Sequence, residues 1–230
     1  MPAATEELRG DPLLAIALDP ELRGRIYGRL GEYCHQCRNR LNSLKLSIYL
    51  ARQQAPPASE GDWRRVDEHY RELERRVEEV QALCRPMTLS RVTIGLDLLI
   101  DDRRDEWART MAAAGLDLEI IPPAERAVAS FDVERLGWVL DLFVGWRAGV
   151  VAPGDPARLR WWVEAGHAHI AWEDTGSHPA GAFEGPSSPS RDWSLPLLAR
   201  VVQAHGGDLR VQSERGWRLD ITWPSQPVTP

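Results

Sequence analysis

The sequence predicts a helical hairpin that pairs with a second copy into a four-helix bundle, followed by an α+β sandwich domain. Three observations carry this. Apolar residues at Leu30, Tyr33, Cys37, Leu41, Leu44, Ile48 and Ala51 recur at steps of three and four, the spacing that lays one apolar stripe along a helix. Trp63, Val66, Tyr70, Leu73, Val77, Val80 and Cys84 follow at steps of 3,4,3,4,3,4, an unbroken heptad seam. Beyond Arg85-Pro86 the pattern changes, and helical segments mix with short alternating strands bounded by Gly and Pro.

Residues 1–19 form a lead-in whose apolar cluster Leu13, Leu14, Ile16 and Leu18 is expected to dock on the succeeding part of the chain. Asp19 before Pro20 reads as a helix N-cap with proline in the first turn, and the first helix is expected over Pro20 to Gln54. Residues 55–61, Ala-Pro-Pro-Ala-Ser-Glu-Gly, break it, and Asp62 restarts a second helix. With Leu30 and Cys37 at heptad position a and Tyr33 at d, His35 falls at f, opposite the buried seam. Asn39 and Asn42 follow it at i+4 and i+7 on one exposed stripe, with Arg38 beside them. A lone hairpin with a seam on each arm cannot cover its own apolar stripes, so a homodimer is the simplest closed solution.

The second half reads as a helix over Asp102 to Ala114 stopped by Gly115, a strand over 116–121, and a helix over Asp132 to Gly149. Strands follow at Arg158 to Glu164 and His167 to Glu173, then a Gly-, Ser- and Pro-rich loop over 174–192. A helix at about Trp193 to His205, a Gly206-Gly207 stop and a closing hairpin around 214–216 complete the chain, with His205 expected to cap its helix. The domain boundaries are therefore 1–19, 20–85 and 86–230. Trp161-Trp162 should point one ring to each face of its strand.

Composition narrows the function classes. A net charge of −6, from 34 acidic against 28 basic residues with no basic block, argues against a nucleic-acid partner. No stretch approaches the ~20 apolar residues of a membrane span, and the acidic start does not resemble a secretory signal. Three cysteines are too few for a disulfide scaffold. A cytoplasmic protein without membrane contact is expected.

The segment HQCRNRLNSLKLS, residues 35–47, resembles the H-box of bacterial sensor histidine kinases, H-[E/D]-x-R-[N/T]-P-L, with His35, Arg38, Asn39 and Leu41 at matching places. ARVVQAHGGDLRVQS, residues 199–213, is similar to the helix, turn and strand after that family's ATP lid, and residues 132–140 resemble the opening of its N-box. The resemblance covers roughly residues 20–224. It implies a dimerisation and phosphotransfer hairpin followed by a GHKL (Bergerat-like) ATPase domain. It implies His35 as phosphoryl acceptor, Asn39 as the residue that orients a hydrolytic water, Arg38 as a further catalytic-site residue, and response-regulator receiver domains as partners.

Several positions depart from the family. Gln36 stands where the family has an acidic base, and Arg40 where it has proline. Leu142 and Trp146 occupy the asparagine places of the N-box, and neither side chain can ligate magnesium. The D-x-G-x-G element survives as Asp174 and Gly176 with His178 in place of its second glycine, so these two are the candidate nucleotide contacts. The lid stretch G-x-G-L reads Asp192, Trp193, Ser194, Leu195. The expectation is a degenerate ATP and magnesium site, no cofactor, and a His35 that exchanges phosphate with receiver aspartates as phosphotransferase or phosphatase.

Plainer readings stand beside these. Taken alone, His35 reads as an ordinary surface histidine and its motif context favours the functional reading, whereas Asp174-Gly176 reads first as a plain turn. Cys34, His35 and Cys37, with Cys84 one turn away across the hairpin, form a possible zinc set. They diverge around the helix, and no metal is expected. The competing functions are an active ATP-dependent kinase and a non-catalytic scaffold that pairs with another kinase's hairpin.

Overall fold

The computed structural model describes residues 19–54, 60–84, 87–123, 126–176, 193–212 and 216–225. The apolar lead-in, the break at 55–59 and loop residues 177–192, with His178 and Asp192, lie outside them. Two compact units result, one over Asp19–Met87 and one containing Thr88–Pro230.

The first unit is a hairpin of α1 (Pro20–Gln54) and α2 (Glu60–Cys84). Asp19 starts α1 as expected, its Oδ1 accepting the Glu21 N–H at 2.8 Å. The helix continues through Arg40 without a break. Its composition is uneven: Gly24, Gly28 and Gly31 fall in its first third, whereas no Gly or Pro occurs from Glu32 to Gln54. The two arms are tied by Arg38 to Glu78 at 2.7 Å, Arg52 to Asp67 at 3.3 Å, and Lys45, which lies over the Tyr70 ring at 5.3 Å.

The face of α1 turned to α2 is rotated from the expected seam. Cys34 is 4% exposed, and Cys37, Leu41 and Ile48 are half-buried around it, whereas Tyr33 is 63% and Leu44 46% exposed. On α2, Tyr70 is buried while Val66 and Leu73 remain exposed. One antiparallel partner covers only a narrow arc of a helix, and at roughly 100° per residue Tyr33 and Leu44 fall just outside the arc centred on Cys34.

The second unit begins with β1 (Val92–Gly95), followed by α3 (Leu96–Ala113), β2 (Asp117–Ile121), β3 (Val128–Phe131) and α4 (Val133–Ala148). Then come β4 (Pro156–Glu164), β5 (His167–Asp174), α5 (Ser194–Ala204), β6 (Asp208–Gln212) and β7 (Trp217–Pro224). Five strands form one sheet in the order β2-β4-β5-β7-β6, antiparallel except for the parallel β2–β4 pair. The Ala165-Gly166 turn, with φ of 50° and 76°, matches the right-handed strand twist and closes the β4–β5 hairpin.

Two features exceed the sequence expectation. One is the antiparallel β1–β3 pair. The other is the start of α3 at Leu96, not Asp102, because Leu96, Leu99 and Ile100 are the residues it buries first. The continuous apolar run there carries no periodicity to read.

Alternation along the strands sorts the sheet into two faces. The inner face carries Trp161, Trp172, Trp217 and Trp223, all at most 2% exposed. Phe143 of α4 packs onto it, with ring centroids 5.3 Å from Trp172 and 5.7 Å from Trp217. The outer face is polar: Glu173 binds Arg160 at 2.9 Å and Arg218 at 2.7 Å, and Trp162 stacks on His169 at 4.9 Å. Trp161 and Trp162 thus take opposite faces, as the sequence predicts.

Buried His205 joins two helices. Its Nδ1 meets the Val201 carbonyl oxygen at 2.7 Å, so this nitrogen carries the proton, and Nε2 accepts the Asp132 N–H at 2.9 Å. Asp132 in turn caps α4, its Oδ1 accepting the Arg135 N–H at 3.0 Å. His205, expected only to cap its own helix, therefore also fixes the start of another. Burial lowers the His205 pKa from its ordinary 6.5. The unfolded chain then binds a proton the native ring resists, so stability is full above pH 6.5 and declines as pH falls through it. Urea midpoints measured at pH 7.5 and 5.5 are expected to separate more in the wild type than in His205→Gln, whose amide oxygen can accept the same N–H at either pH.

Candidate functional site

His35 stands exposed on α1, on the side of the helix away from Cys34. Asn39 and Asn42, at one and two turns, are exposed with it, as are Gln36 and Arg40. The same stripe continues to Leu46, 59% exposed, and Leu50, 50% exposed, with Tyr49 at its edge. An imidazole and two amides are thus displayed above an apolar patch on one side of the helix.

Arg38 does not share that display. It is half-buried and turned toward α2, where its Nη2 meets Glu78 at 2.7 Å. Sequence reasoning grouped it with His35 by i+3 spacing, but the residue lies on the edge that faces the second helix. At roughly 100° per residue, that spacing carries it about 60° round the helix from His35, on the side toward Cys34. Beside it, buried Gln81 donates from Nε2 to the Cys34 carbonyl at 3.2 Å, one residue before His35. That contact anchors the histidine's own turn to α2. Cys34 inward and His35 outward also diverge, as the sequence geometry required.

Asp174, at the end of β5, has a side chain with no exposed surface. Its Oδ1 accepts Arg147 Nη2 at 2.6 Å and the Gly176 N–H at 2.8 Å; its Oδ2 accepts Arg147 Nε at 2.9 Å and Trp172 Nε1 at 2.6 Å. Four donors therefore converge on two oxygens, close to the full acceptor capacity of a carboxylate. The Arg147 guanidinium lies over Trp217, its carbon 4.0 Å from the ring centroid, and 4.9 Å from that of Trp146. Gly176 packs against it: a Cβ added there would stand 2.6 Å from Arg147 Nη2. The two candidate nucleotide contacts are thus brought together, and both meet an arginine.

The remaining positions of interest are apolar or buried. Trp146 turns inward, against Phe143 at 6.1 Å and Trp217 at 5.6 Å. Leu142 is half-buried on the same helix. Ser194 and Leu195 are buried in the first turn of α5, and the Trp193 carbonyl accepts the Leu197 N–H at 2.9 Å.

Sequence reasoning missed Arg147. The available signal was its phase: Leu136, Leu140 and Phe143 define the buried stripe of α4, and Arg147 follows Phe143 at i+4. A cation placed on such a stripe demands a buried anion. Asp174→Asn is expected to lower stability by about 3–5 kcal/mol, since it leaves a guanidinium buried without its counter-ion. The pair replacement Arg147→Met with Asp174→Leu is expected to cost clearly less, and chemical denaturation of the two variants compares them.

No protein-family model matches the sequence, and no curated protein matches it. Solved structures do. Full-length ShkA in complex with AMPPNP superposes with a TM-score of 0.69 at 18% identity, over 88% of this chain and 47% of that one. The Acinetobacter baumannii histidine kinase AdeS gives 0.57 at 10% identity over 83% of this chain and 97% of its own. The mycobacterial sensor histidine kinase MprB gives 0.50 at 22% identity over 60% and 99%. This chain spans about half the length of ShkA. A helical hairpin followed by a mixed α/β sandwich, superposing on these structures over most of its length, gives this chain the fold of a sensor histidine kinase transmitter module.

Proposed function

We propose that the chain is a two-component signalling protein in which His35 exchanges a phosphoryl group with the aspartate of response-regulator receiver domains, without ATP-dependent autophosphorylation. The observation that carries this reading is the contrast between its two units. His35 and Asn39 are exposed and turned away from the hairpin contacts, whereas the Asp174 carboxylate is saturated by Arg147, Trp172 and Gly176.

In the transfer step an imidazole nitrogen of His35 attacks the phosphorus of an aspartyl phosphate. The N–P bond forms as the P–O bond to the aspartate breaks, and the carboxylate leaves with the bonding pair. In the hydrolytic direction a water held by Asn39 attacks the same phosphorus, the P–O bond to the aspartate breaks with the carboxylate leaving, and the phosphate that now carries the water's oxygen is released with the water's proton. Gln36, lacking a titratable group, adds no general base to either path. Leu46, Tyr49 and Leu50 supply exposed apolar area below the histidine, where a receiver would dock. Tyr33 and Leu44 with Val66 and Leu73 supply another, which supports pairing with a second copy.

ATP and magnesium do not fit the residues present. Leu142 and Trp146 offer no oxygen to a hard cation, and Asp174 has no lone pair left for a purine amine.

A receiver domain charged with acetyl phosphate is expected to lose its label when this protein is added, and His35→Ala to abolish transfer of that label to the protein. Full activity in that variant overturns the proposal. Asn39→Ala is expected to slow release of inorganic phosphate by about 10²-fold, the low end of what one positioned group contributes, while leaving label transfer to His35 measurable. Incubation with labelled ATP and magnesium is expected to leave His35 unlabelled; an acid-labile, base-stable label there favours the active kinase instead.

A further inference from the structure

We propose that the Asp174 cage is a binding site for a planar cation with two parallel N–H donors along one edge, an amidinium or guanidinium, and that Arg147 fills it as a tethered ligand. The cage has the parts such a site requires. Asp174 offers two oxygens side by side, and Arg147 meets them with Nε and Nη2 at 2.9 and 2.6 Å, the fork-on geometry of a small ligand. The Trp217 face lies 4.0 Å below the guanidinium carbon, and Trp146 lies 4.9 Å away. Trp172 Nε1 and the Gly176 N–H hold the carboxylate in place independently of the arginine. The bare Gly176 leaves the space that Nη2 enters.

One atom marks the arginine as an imperfect occupant. Among the described residues, Arg147 Nη1, the nitrogen not engaged by the carboxylate, is buried with no hydrogen-bond acceptor. The rings of Trp146 and Trp217 lie against the same guanidinium and offer it no oxygen acceptor. A cation that places carbon there instead of N–H avoids the cost of an unsatisfied donor. Acetamidinium does this: its two nitrogens reproduce the bound edge and its methyl group takes the position of Nη1. The site's chemistry therefore favours amidinium over guanidinium once the tether is removed.

This inference shares with the proposed function the premise that Asp174 meets no diffusing nucleotide, but its test uses neither phosphate nor a receiver. Failure of either experiment leaves the other standing. The full chain carrying Arg147→Ala is melted alone and with acetamidinium, methylguanidinium or tetramethylammonium chloride at equal millimolar concentrations. The variant is expected to melt several degrees below the wild type. Acetamidinium should restore most of the loss in a saturable manner, methylguanidinium less, and tetramethylammonium none. The wild type should not respond, and Arg147→Ala with Asp174→Leu should lose the rescue. Equal effects of planar and tetrahedral cations, or rescue that persists without Asp174, overturn the proposal. If Arg147→Ala does not hold its fold alone, it is refolded from urea with and without acetamidinium, and an unchanged folded yield overturns the proposal equally.

Discussion

The second unit depends on one buried charge pair. Arg147 leaves the last turn of α4 and reaches Asp174 at the last residue of β5, so a single contact locks the helical layer to the sheet. Neither ion has access to water, and each alone would cost several kcal/mol to bury. Their mutual attraction offsets that cost only because the geometry is bidentate and the indole and amide donors complete the carboxylate. Hydrophobic packing around Phe143, Trp172 and Trp217 is non-directional and tolerates sliding. The ion pair does not, and so it fixes where along the sheet the helix lies.

The helical unit is built on the opposite principle. Its two arms meet along a narrow arc around Cys34 and Tyr70, with ion pairs at the rim that contribute little each in water. Much apolar surface is left outside that arc, in two stripes on different sides of α1. The second unit buries most of its large apolar side chains within itself, whereas the hairpin leaves Tyr33, Leu44, Leu46, Tyr49 and Leu50 exposed.

The order and type of most elements were legible because their signals are local. Asp19-Pro20, Gly115, Gly149 and Gly206 mark helix ends by conformational preference, and the strands of the closing sheet alternate cleanly over Trp217 to Trp223. The start of α3 was not legible, because Leu96 to Ile100 is apolar without a period. The exposure of His35 was legible, although the buried face lies nearer to it than the heptad phase predicts, with Cys34 and not Tyr33 at its centre. The pairing of Arg38 with Glu78 was not legible, since spacing gives neighbourhood on a helix but not which edge a second helix covers. The Asp174 environment was least legible. Its partner lies 27 residues earlier, and only the fold brings a stripe cation on α4 to the end of a strand.

The uneven composition of α1 has a consequence for how the acceptor residue is held. Each of Gly24, Gly28 and Gly31 weakens the helix by about 1 kcal/mol relative to alanine. The stretch from Glu32 onward has no such residue, and Gln81 clamps it at Cys34. Fraying that enters from the Pro20 end therefore meets a barrier one turn before His35. The imidazole sits at the edge between a segment that unwinds cheaply and one that does not, so a pull or twist on the first third can be absorbed there as lost helical turns before it reorients the histidine.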